Sequence, residues 1–153
     1  MKRIAVLTLF LVSGLAYSSP SRVKIAPDNE PGQRLVITGH VLGTDGAARG
    51  GVTLYAYHTD AQGLYRPDGS FKGEPRLRGT LRTADDGSYE IDTIKPAPYP
   101  HRSIPAHIHV HLRKPGVDQE EEIRFEGNGA TVCRTHADAN GVLRCTVDFR
   151  FDH

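Results

Sequence analysis

The sequence predicts an all-β protein, an antiparallel β-sandwich, and three observations carry that expectation. From Arg34 onward, short runs of alternating apolar and polar residues are separated by turn clusters every eight to twelve residues. No window of helical length shows an i, i+3, i+4 apolar pattern. The 16 Gly and 10 Pro would interrupt a helix, and they fall where turns are needed. At 153 residues, 38% apolar and 24% charged, the chain has the size and composition of one globular domain. A formal charge of +1 offers no basic stripe for nucleic acid.

The first segment stands apart. Residues 1–18 begin with Lys2 and Arg3, continue through the apolar run Ile4–Val12, and end in Ala16-Tyr17-Ser18. This is the layout of a signal peptide, and the apolar run is too short to span a bilayer as a helix. A periplasmic or secreted protein is expected, with no membrane association once the signal is removed. Loss of Lys2 and Arg3 moves the formal charge to about −1. Residues 19–33, polar and punctuated by Pro20, Pro27 and Pro31, read as a flexible lead-in to a sandwich domain over 34–153.

Within that domain, Leu35–Val41 alternates and ends at Gly43-Thr44-Asp45-Gly46. Val52–His58 is rich in β-branched and aromatic residues and ends at Asp60-Ala61-Gln62-Gly63. Thr80–Thr83 and Ser88–Ile94 flank Asp85-Asp86-Gly87. Ala106–Leu112 alternates and ends at Lys114-Pro115-Gly116, followed by Glu121–Phe125. Asp138-Ala139-Asn140-Gly141 then marks a hairpin between Ala130–Thr135 and Val142–Phe151, completing about eight strands. In an exported protein Cys133 and Cys145 can form a disulfide, here expected to staple the facing strands of that hairpin. Their spacing does not support a catalytic thiol or a metal-binding pair.

His107, His109 and His111 alternate along one expected strand, so all three point to one face. Three imidazoles on one face predict a metal site, because neutral imidazole is a common ligand of first-row ions. The spacing leaves Zn, Cu and Fe open. Two tyrosines bear on the choice. Tyr65 follows the turn after Val52–His58, and Tyr99 lies in the proline-stiffened loop Lys95–Pro100 that leads into the histidine strand. A phenol ionises near pH ~10, so it becomes a ligand only beside a strongly Lewis-acidic ion. A phenolate with imidazole suits a trivalent ion such as Fe(III).

These segments, in order, resemble the intradiol ring-cleavage dioxygenases, the family of catechol, hydroxyquinol and protocatechuate dioxygenases. The matching pieces are Gly63–Tyr65, Leu77–Tyr89, Thr93–Tyr99 and Pro105–His109, with Ile37–Val41 also fitting. The resemblance spans roughly residues 34–127. It implies a non-haem Fe(III) held by Tyr65, Tyr99, His107 and His109, with His111 outside the set. It further implies a catecholic substrate that displaces Tyr99, which then acts as the base, and opening of the ring with O2 to a muconate-type diacid. Where the family has an arginine before the first histidine, this chain has Ile104, and Arg102 stands two residues earlier as the candidate catalytic cation. Where the family has a glutamine, this chain has Glu122. Leu64, Arg66, Pro98 and Ile104 flank the ligands and are expected to line the substrate pocket. The helical dimerisation segment of cytosolic members has no counterpart here, so the chain looks like a smaller secreted branch, its oligomeric state unspecified. The alternatives are a non-catalytic module of the transthyretin-like or carboxypeptidase-regulatory-like kind, and a Zn or Cu site built from His107, His109 and His111 alone.

Overall fold

The computed structural model describes residues 20–152, so the expected signal peptide over 1–18 lies outside the described residues. Ten strands form two packed sheets, and no helix is present among the described residues. β1 is Ser21–Lys24, β2 Arg34–Leu42, β3 Thr53–His58, β4 Leu77–Arg82 and β5 Ser88–Ile94. β6 is His107–Lys114, β7 Val117–Arg124, β8 His136–Ala137, β9 Leu143–Thr146 and β10 Phe149–Arg150. One sheet has the order β1-β5-β2-β9-β8, with β10 continuing the C-terminal edge along β2; the other is β4-β3-β6-β7.

The sandwich expected from alternation is the one observed. In β3 and β6 every second residue is buried: Leu54, Ala56 and His58 in the first, Ile108, Val110 and Leu112 in the second. Opposite them lie Leu35, Ile37, Val41 and Ile91, with Phe149 and Phe151 closing one end. Burying a Leu, Ile or Phe side chain contributes about 1.5–3 kcal/mol, which makes this interior the main source of stability. The β4-β3-β6-β7 sheet is antiparallel throughout, whereas the other is mixed, with β1–β5, β2–β9 and β2–β10 parallel. β9 and β10 are successive segments of one run of chain lying parallel along β2, β9 beside Leu35–Thr38 and β10 beside Val41–Leu42. Gly39 lets the link between them pass close against β2: a Cβ there would lie 1.8 Å from the Val147 carbonyl oxygen. The same oxygen accepts the Tyr89 hydroxyl at 2.6 Å.

Two expectations are corrected. The lead-in 19–33 is not loose throughout, since Ser21–Lys24 pairs in parallel with β5 and Ile25 and Ala26 are buried. Arg22 bridges to Glu90 and Asp92, and Arg34 also pairs with Asp92. A four-residue strand in a polar, Pro-rich stretch carries too little alternation to stand out. The disulfide Cys133–Cys145 forms, with its Cα atoms 5.4 Å apart, but it does not staple a hairpin. The β8–β9 register pairs His136 with Arg144, which would put residue 135 opposite Cys145. Cys133 lies before that ladder and is held at the margin of β7, its N–H donating to the Arg124 carbonyl at 2.7 Å. Cys145 sits in β9 beside Ile37 of β2, so the bond ties the two sheets together.

His58 lies at the end of β3, sealed beneath the loops. Its Nδ1–H donates to the Thr59 carbonyl and its Nε2 accepts the Thr93 hydroxyl, both at 2.7 Å. Burial pushes this imidazole down to about 4. The unfolded chain takes up the proton near pH 6.5, so His58 contributes full stability above that pH and progressively less as the pH falls toward about 4. Urea unfolding at pH 7 and pH 5 should show a loss of about 2 kcal/mol from this group. His58→Gln, whatever its absolute stability, should lack that component of the pH dependence.

Candidate metal centre

The outward face of β6 carries His107, His109 and His111, while Ile108, Val110 and Leu112 point into the core. Across the ladders, His109 lies beside Tyr57 of β3 and Glu122 of β7, and His107 lies beside Arg124. Tyr57 stacks on His109 with ring centroids 4.6 Å apart and planes 13° apart. Two loops then fold over this face, one joining β3 to β4 and the other joining β5 to β6.

Asp60 organises the first loop. Its Oδ1 accepts the N–H groups of Gln62 and Leu64, and its carbonyl accepts the N–H of Gly63. The same carbonyl accepts the Ala97 N–H of the second loop, and the Thr59 hydroxyl donates to the Ala97 carbonyl. Gly63 has φ +81°, and a Cβ there would lie 2.1 Å from the Pro98 carbonyl oxygen. Glycine therefore serves two needs at once, a left-handed turn and direct contact between the loops. Tyr65 follows two residues later, its carbonyl accepting the Arg76 N–H, so residues 66–75 form an excursion closed at its base. In the second loop a Tyr99–Arg102 turn, with His101 at φ 59°, reverses the chain into β6.

The consequence is convergence. The Tyr65 and Tyr99 hydroxyls are hydrogen-bonded to each other. The Tyr99 hydroxyl lies 3.4 Å from His107 Nε2, and that nitrogen lies 3.1 Å from His109 Nε2. The His107 Nδ1–H donates to the Pro105 carbonyl at 2.8 Å, which leaves Nε2 as a bare lone pair. His109 Nδ1 is buried with no hydrogen-bond partner and lies 3.4 Å from Glu120 Oε1, within ion-pair range. A carboxylate behind Nδ1 favours the tautomer whose Nε2 faces the cluster. Burial, and then the neighbouring His107, lowers the His109 pKa, which favours the neutral form that can act as a ligand. Burial, and then the hydrogen bond from Tyr99, raises the pKa of Tyr65. Two nitrogen lone pairs and two phenols facing one point fit a Lewis-acidic cation strong enough to hold phenolate.

His111 is elsewhere. Its Nδ1 is 2.7 Å from Asp118 Oδ1, and a strand rise of ~3.3 Å per residue puts it about 13 Å along the chain from His107. Arg102 is exposed, its guanidinium 5.7 Å from the Phe71 ring centre. Of the expected pocket residues, Ile104 lines a groove of about 450 Å³ with Pro105, Ala106, His107, Glu122 and Arg124. Arg66 faces Asp68 at 3.7 Å, while Leu64 and Pro98 belong to the seam between the loops.

Sequence reasoning missed Tyr57, Phe71 and Glu120. Phe71, 59% exposed, rests against both Tyr65 and Tyr99, and an exposed phenylalanine in a polar loop was the available signal. Tyr57 alternates on the same face as the histidines, but only the β3–β6 register places it against His109.

A protein-family profile described as Dioxygenase matches residues 10–150. Catechol 1,2-dioxygenase 1 of Acinetobacter lwoffii is 30% identical over 120 residues, covering 66% of this chain and 38% of the relative. Chlorocatechol 1,2-dioxygenase of Rhodococcus opacus is 29% identical over 142 residues, covering 77% of this chain and 51% of the relative. The chain thus spans about half the length, or less, of these two curated relatives. Among solved structures, the dioxygenase domain of a dioxygenase carbohydrate-binding protein fusion from Streptomyces sp. SirexAA-E aligns with TM-score 0.72 at 26% identity, covering 93% of this chain and 96% of that one. The fold is also that of an intradiol ring-cleavage dioxygenase from Tetranychus urticae, with TM-score 0.71, 18% identity and coverage of 88% and 94%.

The seam between the loops can be tested directly. Gly63→Ala should lower stability by at least about 1–2 kcal/mol from the left-handed backbone alone, before the contact with Pro98 is counted. Thermal unfolding measures that loss. Hydrogen exchange at the Ala97 amide, which depends on the Asp60 carbonyl, should accelerate in the same variant.

Proposed function

We infer that this chain, which belongs to the intradiol ring-cleavage dioxygenase family, is an exported non-haem Fe(III) enzyme that opens a catecholic ring with O2. The bond broken lies between the two hydroxylated carbons, and the product is a muconate-type diacid. The observation that carries this reading is the convergence of Tyr65, Tyr99, His107 and His109 on one point. Those four residues would hold the iron, and the iron, when bound, lowers the pKa of a catechol and activates it toward O2.

The remaining steps belong to the chain. Tyr65 stays in place: its carbonyl is tied to Arg76, and its ring lies between Tyr57 and Phe71. Tyr99 sits between exposed Pro98 and Pro100 on a loop at the surface, so it is the phenol that can withdraw. As it withdraws, its phenolate oxygen accepts a proton from an incoming catechol hydroxyl. His107 and His109 are held in orientation by the Pro105 carbonyl and by stacking on Tyr57. The groove under Ile104 opens beside His107 and accommodates the aromatic ring, whose apolar faces meet Ile104, Pro105 and Ala106. Arg102, exposed beside Phe71, supplies positive charge where negative charge develops on the ring.

Protein loaded with Fe(III) should be red to burgundy from a broad tyrosinate-to-iron band that shifts on adding catechol, with consumption of O2. Tyr99→Phe should alter the band and slow turnover, whereas His111→Gln should keep the iron. An iron-loaded but colourless protein would refute tyrosine ligation, and a coloured protein that consumes no O2 with a panel of catechols would leave a binding role. Export is supported by the basic start, the apolar run Ile4–Val12 and the disulfide. The intact mass of protein recovered from periplasm or medium should correspond to a chain beginning at Ser19.

A further inference from the structure

We propose that His107, His109 and Glu122 form a two-histidine, one-carboxylate site for a divalent first-row ion within the same centre, without either tyrosine as a ligand. The proposal rests on the reading above that His107 and His109 are metal ligands, and it goes beyond that reading in the third donor and the charge of the ion.

Glu122 lies directly across the β6–β7 ladder from His109, on the outward face. One ligand atom from each of His107, His109 and Glu122 lies within 4.8 Å of the other two, the only such trio among the described residues. Both imidazoles present Nε2 to the cluster, His107 because its Nδ1–H is committed to Pro105 and His109 because its Nδ1 is turned toward Glu120. Arg124 engages one carboxylate oxygen of Glu122, Oε2, at 3.2 Å, and a carboxylate has a second.

Charge separates the two donor sets. A phenol must lose its proton to bind, which a trivalent ion drives more strongly than a divalent one; a carboxylate is already anionic. Two imidazoles with two phenolates leave a net charge of +1 around Fe(III). Two imidazoles with Glu122 leave the same +1 around a divalent ion. A neutral glutamine at position 122 would leave the divalent set with a charge of +2 and one fewer anionic ligand. Imidazole and carboxylate donors suit Fe(II), Co(II) and Zn(II), and an arrangement with open positions is typical of ferrous sites.

The test uses iron-free protein titrated with cobalt(II) chloride, followed by the visible ligand-field band and by calorimetry, with Fe(III) loading as a parallel readout. Glu122→Gln should weaken Co(II) binding by at least about tenfold while keeping the tyrosinate-to-iron band. Tyr65→Phe should do the reverse, losing intensity in that band and keeping Co(II) affinity. Glu126→Gln removes the same charge from the same groove and should leave Co(II) affinity unchanged. Wild-type Co(II) affinity in Glu122→Gln would overturn the proposal, as would an equal loss in Glu126→Gln, which would indicate a field effect and not ligation. If wild-type protein forms no tyrosinate band with Fe(III) while the Co(II) pattern holds, the two-tyrosine reading falls and the divalent site stands.

Discussion

Two loops leave the same end of the sandwich, and Asp60 and Gly63 hold them face to face. The Asp60 side chain closes its own turn while its carbonyl accepts Ala97 of the other loop, and the absence of a side chain at Gly63 lets the Pro98 carbonyl come within contact distance. Everything that distinguishes this molecule from a plain sandwich depends on that seam. Tyr65 lies two residues beyond Gly63 and Tyr99 one residue beyond Pro98, so locking the loops places both phenols over the same patch of β6. The seam is built from the Ala97–Asp60 backbone hydrogen bond, the short Thr59 side chain bonded to the Ala97 carbonyl and a close backbone approach, interactions that leave little freedom between the loops.

The patch beneath is the other half of the arrangement. A strand with period two buries Ile108, Val110 and Leu112 and turns three histidines outward. Such a face would be poor core, but it suits a rigid platform for ligands, because the apolar side anchors the strand and the polar side is left for chemistry. Tyr57 and Glu120 then fix the orientation of His109 from opposite sides, one by stacking and one by charge. His58 extends the loops' support inward, filling its hydrogen-bonding capacity under the Asp60 turn as a neutral side chain.

The β7 edge gives the centre its asymmetry. Glu120, Glu122 and Glu126 lie on or beside this strand with Arg124 among them, so one flank of the site is acidic while Phe71 and Arg102 form the other. The carboxylate at 122 faces the donor cluster directly, and a divalent ion gains from it more than the anionic form of a catechol does. The disulfide stabilises the margin of this strand, joining the segment held to Arg124 with β9 in the opposite sheet.

The sequence by itself determined the sandwich, because alternation and turn residues are local properties that burial then enforces. It determined that His107 and His109 share a face, since that follows from strand period alone. The tyrosines became ligand candidates only through ordered motifs, because loop residues have no period to read. The short β1 escaped notice because four residues carry too little pattern, and the disulfide linked sheets, not hairpin strands, because the β8–β9 register sets which residue faces Cys145. Tertiary structure alone decided that Gly63 meets Pro98, that Tyr57 stacks on His109 and that Glu122 lies close to His107 and His109. Those contacts depend on how loops and strands distant in sequence are brought together, and no local pattern encodes a distance between them.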